Sequence, residues 1–389
     1  KAGRERLRPL LDCVNGSTMP IMYAFGHAHL DVAWLWHLQE TERKIARTIS
    51  NQLTLMEEYP EFIFFQSQPH LFTMLKRLYP DLYARVKEKV KSGQIIPEGA
   101  SWVEPDTNLS GGESLIRQFL YGKQFFKKEF GVDSILFWEP DVFGYSGALP
   151  QILKGCGIKY FATAKLTWVY NGSDPFPYNL FQWEGIDGSR VIAHVFHGYG
   201  NLPSPEGLIQ NWNSRLQKMD TFGQLLGFGY GDGGGGATRE HLEFIRREHN
   251  LEGVPLVKYA SPITFFEDAE ARGLPKAHYV GELYYACHRG TYTSQARTKR
   301  NNRKCEYLLR DAEFWGACAS ALYSYGFPQE EIHEAWQVVL LNQFHDVLPG
   351  SSIARVYEEA EKGYQIVQET ASRVTEEALS RFITPGEEL

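Results

Sequence analysis

The alternation of short apolar segments with longer amphipathic ones constrains the fold of this chain more than any other feature. Four amphipathic segments have helical periodicity, at residues 38 to 58, 70 to 92, 113 to 130 and 238 to 249. The apolar segments are IMYAFG at 21, EFIFFQS at 61, QIIPEG at 94, SILFWEPD at 134, KYFATAK at 159, RVIAHVF at 190, LLGFGYGD at 225 and PLVKYAS at 255. Such alternation is typical of parallel strands joined by crossover helices. The sequence therefore predicts an α/β fold, and the strand count allows a barrel or an open sheet.

The pattern changes at about residue 285, where the strand signals stop. Three long helical patterns follow, near 296 to 324, 328 to 345 and 352 to 383. Three consecutive long helices favour a helical unit that packs on the α/β part. We therefore divide the chain into an N-terminal extension at 1–20, an α/β domain at 21–284 and a helical domain at 285–389.

Charge and cysteine content exclude several classes of protein. The formal net charge of −7 argues against a nucleic-acid partner, which would bind a basic surface. The sequence contains no run of eighteen apolar residues, so we expect no membrane span. The five cysteines are scattered, odd in number and without CxxC spacing, which indicates neither a disulfide framework nor a cysteine zinc site. We therefore expect a reducing compartment, the cytoplasm, whereas the oligomeric state cannot be predicted from the sequence.

The segment GHAHLDVAWLW, at 26 to 36, places polar residues inside an apolar run. In an extended strand His27, His29 and Asp31 would share one face, because successive side chains point to opposite sides. Imidazoles and a carboxylate that converge in a buried place suit a divalent cation, since buried polar groups must be paired or coordinated. The alternative is a histidine bonded to the backbone beside a core aspartate. The run of three on one strand face favours a metal or catalytic role.

Other strand ends also carry polar residues, and chemistry in parallel α/β folds gathers at the carboxyl edge of the sheet. The motifs are FWEPDVFGYSG with Glu139 and Asp141, GFGYGDGGGG with Asp232, and SWVEPDTNLSGGES with Trp102, Glu104 and Asp106. The glycine run lacks the Gly-Lys-Ser/Thr ending of a phosphate loop, which argues against nucleotide binding. We interpret its missing side chains as room for a ligand near the backbone. The alternative is that Asp232 is a turn residue.

The motif AWQVVLLNQFHDVLPGSS predicts a helix that Pro349-Gly350 stops. Trp336, Val339 and Leu340 share one face of this helix, and His345 and Asp346 come at its end. Because a His-Asp pair at a helix end also arises from interaction with the helix dipole, that interpretation stays open.

Taken together, these ordered motifs resemble glycoside hydrolase family 38, the retaining α-mannosidases, from about Met22 to the last helix. The motifs GTYTS and LLNQFHDVLPGSS extend the resemblance into the helical part. The chain resembles the cytosolic and bacterial branch, because Val32-Ala33 and Phe344 stand where secretory members have Pro-Gly and a second His. The resemblance implies a seven-stranded β/α barrel followed by a three-helix bundle. It also implies β-rich C-terminal domains that are absent from these 389 residues, so we expect a catalytic-domain fragment.

The resemblance also implies the roles of individual residues. The ligands of one zinc ion would be His29, Asp31, Asp141 and His345. Asp141 would also be the nucleophile, and Asp232 would be the acid/base, with Glu104 and Asp106 in reserve; secretory members carry the acid one position later, at Gly233 here. His27 and Asp346 would fix the orientation of ligands. Sugar contacts would come from Trp34, Trp102 and Tyr292, for which core packing is the open alternative.

The function that follows is hydrolysis of terminal α-linked mannose from mannose-containing oligosaccharides by zinc-assisted double displacement. Two alternatives stay open. The first is a metal-dependent deacetylase or amidohydrolase on a barrel fold, and the second is a mannose-binding fragment without turnover. Linkage preference and the nature of the leaving group cannot be predicted from the sequence.

Overall fold

The computed structural model describes residues 1–170 and 174–383, so the end of the predicted helical domain, 384–389, lies outside the described residues. Its strands are β1 (Ile21–His27), β2 (Phe64–Gln66), β3 (Ile95–Pro97), β4 (Leu136–Trp138), β5 (Tyr160–Thr163), β6 (Leu180–Glu184), β7 (Arg190–Val195), β8 (Gly223–Phe228), β9 (Leu256–Tyr259) and β10 (His278–Val280). Its α-helices are α1 (Ala2–Leu11), α2 (Leu38–Glu58), α3 (Pro69–Leu78), α4 (Pro80–Lys91), α5 (Gly112–Phe130), α6 (Leu149–Gly155), α7 (Pro205–Ser214), α8 (Arg239–Glu248), α9 (Pro262–Ala271), α10 (Ala296–Tyr323), α11 (Gln329–Asn342) and α12 (Ala354–Leu379). Short 3₁₀ helices cover Lys165–Thr167 and Ala286–Tyr292.

The strands form two sheets in which most neighbours are parallel. In the first sheet the order is β3-β2-β1-β8, and β9 pairs with the start of β1 on the side opposite β8. In the second sheet the order is β10-β6-β7-β5-β4, and β6 runs antiparallel to β7. Crossover helices cover the parallel strands, whose continuous apolar runs suit burial on both faces.

Two isolated bridges connect the sheets to each other. Gly99, just after β3, pairs in parallel with Phe137 of β4, and Asn201, after β7, pairs in parallel with Phe228 of β8. The strands therefore form a curled, mainly parallel sheet, which confirms the predicted α/β class. The seven-strand count and closure into a barrel stay predictions.

Aromatic side chains from both sheets fill the inside of the curve. The ring centroid of Trp138 on β4 lies 4.8 Å from that of Phe65 on β2 and 5.6 Å from that of Phe25 on β1. The Trp138 ring also stacks on Phe196, which follows β7, at 4.8 Å. All four rings are fully buried. Because the interior is packed, a ligand can reach the strands only at their ends.

Three helices, α10, α11 and α12, follow the strands and pack on one another. Leu309 of α10 and Val367 of α12 belong to the same buried cluster as Trp336 of α11 and Leu30, which follows β1. The helical part and the α/β part therefore share one continuous core. By contrast, α1 at the N-terminus buries none of its side chains.

The structure differs from the predicted elements at several boundaries. The helix predicted at 70 to 92 is two helices, because Pro80 lacks the N–H that a continuing helix needs and begins α4 instead. The helix predicted at 328 to 345 ends earlier, at Asn342, before Pro349-Gly350. β6 and β10 were not among the predicted strands. None of the described helices is both long enough and apolar enough to cross a membrane.

Candidate metal centre

Four residues predicted as metal ligands meet at the carboxyl ends of β1 and β4. His29 and Asp31 follow β1, Asp141 follows β4, and His345 stands in the turn after α11. One ligand atom from each lies within 4.8 Å of the others, and all four residues are buried. The structure therefore brings together side chains from three distant parts of the chain.

The strand that carries the first two ligands is shorter than predicted. β1 ends at His27, so His29 and Asp31 lie on an irregular segment beyond it and not on one strand face with His27. The segment leaves the ladder because its backbone turns to another partner: Asp31 N donates to Asp232 O at 2.9 Å, and Leu30 bridges to Gly233. The predicted shared face is therefore wrong, although the convergence of His29 and Asp31 is real.

In each of the two histidines, the ring nitrogen that faces the cluster is Nε2. Nε2 of His29 lies 3.0 Å from Asp31 Oδ1, and Nε2 of His345 lies 3.4 Å from the same oxygen and 3.7 Å from Asp141 Oδ2. The two imidazole rings stack at 5.6 Å. His345 Nε2 is buried and has no hydrogen-bond partner of good geometry among the described residues. Such an orphaned nitrogen fits a cation.

Glu104 holds both histidines in this orientation. Its Oε2 lies 3.2 Å from His29 Nδ1, and its backbone carbonyl is 2.9 Å from His345 Nδ1. Ser67 Oγ donates to the other carboxylate oxygen at 2.8 Å. A partner on Nδ1 fixes the tautomer and directs Nε2 to the metal side. We therefore expect Glu104 to orient the two histidines, and its role as a reserve for the acid stays a prediction.

The two residues predicted to orient ligands, His27 and Asp346, have different surroundings. His27 Nδ1 lies 3.2 Å from Phe65 O, and its ring packs on Trp138 at 5.3 Å. Its role in fixing the orientation of a ligand stays a prediction. Asp346 Oδ2 is 3.9 Å from His345 Nε2, on the ligand side of the ring, and Ser351 donates to its Oδ1. The sequence could not reveal that one residue, Glu104, lies at Nδ1 of both His29 and His345.

Electrostatics also favours a cation in the cluster. Burial lowers the pKa of His29, but the charges of Glu104 and Asp31 outweigh it and hold this pKa well above its ordinary value. Burial also lowers the pKa of His345, yet the nearby carboxylates of Asp31, Asp346 and Asp141 raise it to about 9. The surrounding carboxylates therefore favour positive charge at this place, which a divalent cation would supply. Two imidazoles and two carboxylates are a donor set that suits zinc, and the residues fit one ion.

Asp232 lies close to Asp141, with one phenol between them. The hydroxyl of Tyr199 is 2.8 Å from Asp141 Oδ1 and 3.1 Å from Asp232 Oδ1. Burial raises the pKa of Asp232, and the charges of Asp31 and Asp141 raise it further despite the opposing charge of His29. A carboxyl group whose pKa is raised beside a second carboxylate can hold and deliver a proton.

Sequence reasoning missed Tyr199 and Lys165. Lys165 Nζ is 2.5 Å from Asp141 Oδ1. Lys165 as a whole is only 3% exposed. Lys165 follows the end of β5 and Tyr199 follows the end of β7. The rule that directed attention to strand ends would have found both if it had been applied to every strand.

Two of the glycines after Asp232 make room for protein side chains, while room for a ligand elsewhere in this loop stays a prediction. A Cβ on Gly234 would lie 2.6 Å from Thr48 Oγ1, and one on Gly236 would lie 2.5 Å from Gln52 Nε2, both on α2. A Cβ on Gly229, at a φ of +123°, would meet the carbonyl oxygen of His27 at 2.5 Å. The loop therefore packs closely on α2 and on the end of β1, and this packing positions Asp232.

The two tryptophans predicted to contact the sugar pack against neighbouring rings. Trp102 is 4% exposed, and its ring packs on His70 and Phe125, which fits the core-packing alternative. The Trp34 ring packs edge-on against Trp36 at 5.8 Å and is half-buried.

Tyr292 and Asp106 both contact Asn108. The Tyr292 hydroxyl accepts a hydrogen bond from Asn108 Nδ2 at 3.3 Å. Asp106 accepts from the backbone N–H of Asn108 and of Leu109, so this carboxylate closes a turn and is poorly placed as an acid.

Two family descriptions match the chain. Residues 19–286 match "Glycosyl hydrolases family 38 N-terminal domain", and residues 286–382 match "Alpha mannosidase middle domain". Together the two matches extend over the α/β part and the three long helices.

Relatives and solved structures agree with these matches. The chain is 44% identical to alpha-mannosidase G of Dictyostelium discoideum over 356 residues, which cover 91% of this chain and 32% of that protein. It is 43% identical to alpha-mannosidase 2C1 of Homo sapiens over 356 residues, with 91% and 34% covered. It therefore spans about a third of the length of the curated relatives it matches. The crystal structure of an alpha-mannosidase from Enterococcus faecalis V583 superposes with a TM-score of 0.82 at 21% identity, over 93% of this chain and 43% of that one, and shows the shared fold.

Proposed function

The chain belongs to glycosyl hydrolase family 38, and on this basis we propose that it carries the active site of a retaining α-mannosidase with one zinc ion. The observation that carries the proposal is the buried group His29, Asp31, Asp141 and His345, with Asp232 next to it across Tyr199. The substrate class is a mannose-containing oligosaccharide, in keeping with the names of the relatives. Linkage preference is left open.

The fold that we propose around this site is a seven-stranded β/α barrel followed by a three-helix bundle. The parallel pairs from β8 through β1 to β3, and from β4 through β5 to β7, support the barrel, because the bridges at Gly99 and Asn201 connect them at both ends. The mutual packing of α10, α11 and α12 supports the bundle. The divisions at 1–20, 21–284 and 285–389 follow from the same elements.

When bound by His29, Asp31, Asp141 and His345, zinc supplies a Lewis acid for the vicinal hydroxyls of a mannoside. The protein residues perform the transfer itself. Lys165 and Tyr199 hold Asp141 Oδ1, and Oδ2 faces His345. This arrangement restricts the Asp141 carboxylate to one orientation against the sugar, which is what an efficient nucleophile needs.

The reaction proceeds in two displacements. Asp141 attacks the anomeric carbon while the bond to the leaving oxygen breaks, and Asp232 gives its proton to that oxygen. The mannosyl group is then an ester of Asp141. In the second step Asp232 takes a proton from water, the water oxygen attacks the anomeric carbon, and Asp141 is released with net retention of configuration.

The spacing of the two carboxylates supports retention and not inversion. Both bond to the single oxygen of Tyr199, so Asp141 Oδ1 and Asp232 Oδ1 are at most about 6 Å apart. Retaining glycosidases have carboxyl groups about 5 to 5.5 Å apart, whereas inverting enzymes leave room for a water with about 6.5 to 9.5 Å. The same pair argues for glycoside hydrolysis over the deacetylase or amidohydrolase alternative, which uses a metal-bound water and no carboxylate nucleophile.

The location and the partners remain part of the proposal. The scattered spacing of the five cysteines supports a reducing compartment, and we propose the cytoplasm. We propose no nucleic-acid partner, in keeping with the formal charge of −7.

The test is trapping of the covalent intermediate with a 5-fluoro-mannosyl fluoride. We expect mass spectrometry of peptides to find the label on Asp141, and early-time NMR with an aryl α-mannoside to show α-mannose as the first product. β-Mannose as first product would contradict double displacement. Binding of mannose with no turnover, measured with zinc present, would favour the binding-fragment alternative, and activity on an acetylated substrate alone would favour the deacetylase.

A further inference from the structure

We propose that Lys299 is a positioning residue of the proposed zinc site, because its ammonium group connects the segment GTYTS, at 290 to 294, to the turn that carries His345. The inference rests on the proposed function, since it concerns how the ligand from the helical side is held. Lys299 stands in the first turn of α10 and is half-buried. The mechanism above assigns it no role.

Three backbone carbonyls surround the ammonium group of Lys299. Its Nζ donates to Leu348 O at 2.9 Å, to Pro349 O at 3.1 Å and to Ser294 O. An ammonium group has three N–H donors, so each donor has one carbonyl and none is left for a substrate anion. Hydrogen bonds from a charged donor are stronger than those between neutral groups. Lys299 therefore connects the end of GTYTS to the turn and acts on the turn itself.

The same two segments also pack directly on each other. Gly350 has a φ of +94°, and a Cβ built on it would lie 2.9 Å from Ser294 Cβ and 2.9 Å from Gln295 Cγ. Residues other than glycine rarely adopt such a φ, and a Cβ at this position would also need its neighbours to shift. Lys299 therefore bonds across an interface that the backbone already forms, and this interface keeps its three acceptors in place.

The carbonyls that Lys299 holds belong to the same compact turn as His345. Val347 N donates to Phe344 O at 2.9 Å, and Leu348 N donates to the same oxygen at 3.2 Å. Leu348 is fully buried. A shift of the Leu348 carbonyl therefore moves the backbone on both sides of His345. Fixing that carbonyl fixes the direction in which the imidazole points, which is how a group that does not touch the metal can orient a ligand.

The charge of Lys299 also acts on the segment that pairs with this turn. Asp106 is 1% exposed, and burial raises its pKa, whereas two backbone N–H donors and the charge of Lys299 oppose that shift. Burial lowers the pKa of Lys299 to about 8 against the charge of Asp106, so the ammonium form prevails at neutral pH. Asp106 N donates to the carbonyl oxygen of Gln343, two residues before His345. Lys299 therefore supports the turn on both sides of the ligand.

The first test compares the zinc affinity of Lys299→Met with that of Lys304→Met. Methionine keeps most of the apolar side chain and removes the charge with its three donors. Lys304 is an exposed lysine on the same helix and serves as the matched control. Competition with a chelator should show an affinity about 10-fold lower in Lys299→Met, the size expected for a group that orients a ligand, and no change in Lys304→Met. Equal affinity in the two variants would overturn the proposal.

A spectroscopic measurement separates positioning from a general loss of stability. Cobalt(II) in place of zinc has visible bands that depend on the geometry of its ligands. At saturating cobalt the bands of Lys299→Met should shift and weaken, because His345 then coordinates in more than one orientation, whereas Lys304→Met should keep the bands of the unchanged protein. A variant that is only less stable keeps those bands in its folded fraction, so an unchanged spectrum in Lys299→Met would overturn the positioning role.

A readout without metal or turnover separates this proposal from the function itself. Hydrogen exchange of the metal-free protein, followed by mass spectrometry of peptides, should be about tenfold faster over residues 344–350 in Lys299→Met, the size expected for lost bonds to a charged group. Peptides that contain β1 should exchange as in the unchanged protein. Faster exchange confined to the turn supports the proposal even if no mannoside is hydrolysed. Equal exchange in Lys299→Met and Lys304→Met, or an equal increase along the whole chain, would overturn it.

Discussion

The proposed metal site combines two regions that hold its four side chains by different means. His29, Asp31 and Asp141 follow β1 and β4, and the parallel ladders of β1 with β8 and of β4 with β5 fix where these strands end. His345 comes from the turn after α11. His29 and Asp31 lie two and four residues beyond the end of β1 and are held further by the bond from Asp31 N to Asp232 O, whereas the turn after α11 is held by contacts to other loops and helices.

Those contacts start at the backbone of the segment that carries Glu104. His345 N donates to Glu104 O at 3.2 Å, and Asp106 N donates to Gln343 O at 2.8 Å. The two segments thus run beside each other as a short antiparallel pair, which includes the bridge between Pro105 and Phe344. The turn is docked on the loop after β3.

A buried carboxylate on α10 completes the support. Gln343 Nε2 donates to Glu306 Oε1 at 3.1 Å, and the same oxygen accepts from Gly111 N at 2.8 Å and from Ser114 Oγ at 2.7 Å. Glu306 is only 7% exposed. Removing a buried charged group that accepts from several donors costs stability, because each donor then stays buried without a hydrogen-bond acceptor. The comparison teaches that His345, the residue from the helical side, depends on polar contacts that join α10 to the end of α11 and the start of α5.

The largest effect is expected at Asp141, the residue on the strand side that faces His345 of the helical side. Asp141→Ala removes the nucleophile and one metal ligand, so kcat/KM for a dinitrophenyl α-mannoside should fall by at least about 10⁴-fold. Steady-state assays with excess zinc measure it. Residual activity within about a hundredfold of the unchanged protein would show that Asp141 is not the nucleophile.

The two histidines compare the regions directly. His29→Ala on the strand side and His345→Ala on the helical side should each lower zinc affinity by roughly 10³-fold, because each removes one of four ligands. Metal analysis after dialysis and competition with a chelator measure the effect. If His345→Ala retained zinc as well as the unchanged protein, the helical region would contribute no ligand.

Asp232→Ala should separate the acid from the nucleophile. The kcat/KM for a mannobiose should fall by about 10²- to 10³-fold and that for a dinitrophenyl mannoside much less, because a good leaving group needs no proton. Added azide should restore turnover by replacing the missing base. An equal loss on both substrates without a response to azide would shift attention to another acid.

The pH profile gives a second measurement on the same variant. Burial and the charges of Asp31 and Asp141 raise the pKa of Asp232, so the protonated acid persists to higher pH than in an ordinary carboxyl group. The kcat/KM of the unchanged protein for a mannobiose should therefore fall as pH rises through this raised pKa. The residual activity of Asp232→Ala on the same mannobiose should lack that basic limb, and a limb identical in both proteins would contradict the assignment.

The smallest effect is expected in the support of the His345 turn. Glu306→Ala leaves Gln343 Nε2 without one acceptor, and zinc affinity should fall by about 10-fold, as for other groups that orient ligands indirectly. The matched control is Glu313→Ala, which removes a contact between α10 and Arg117 of α5 but none with Gln343. Equal zinc affinity in the two variants would show that α11 holds His345 without this network.

Much of the fold could be predicted because its signals are local. Each of the eight predicted strand segments contains or overlaps a strand, since continuous apolar runs are what buried parallel strands require. The two missed strands lack that signal. β10 has only three residues, two of which are exposed, and β6 pairs antiparallel with β7 at the side of the parallel set. Short strands of mixed polarity leave no period to detect.

The sequence alone determined the α/β class and the identity of the four clustered residues, because these depend on local patterns and on ordered motifs. The tertiary structure decided which other groups act with them. Lys165 and Tyr199 reach Asp141 from 24 and 58 residues away, and Glu104 meets His345 from 241 residues away. Periodicity and spacing describe neighbours along the chain. Which strand ends and which helical turn meet in space follows from the curl of the sheet and from the docking of α11, so only the folded chain brings these partners together.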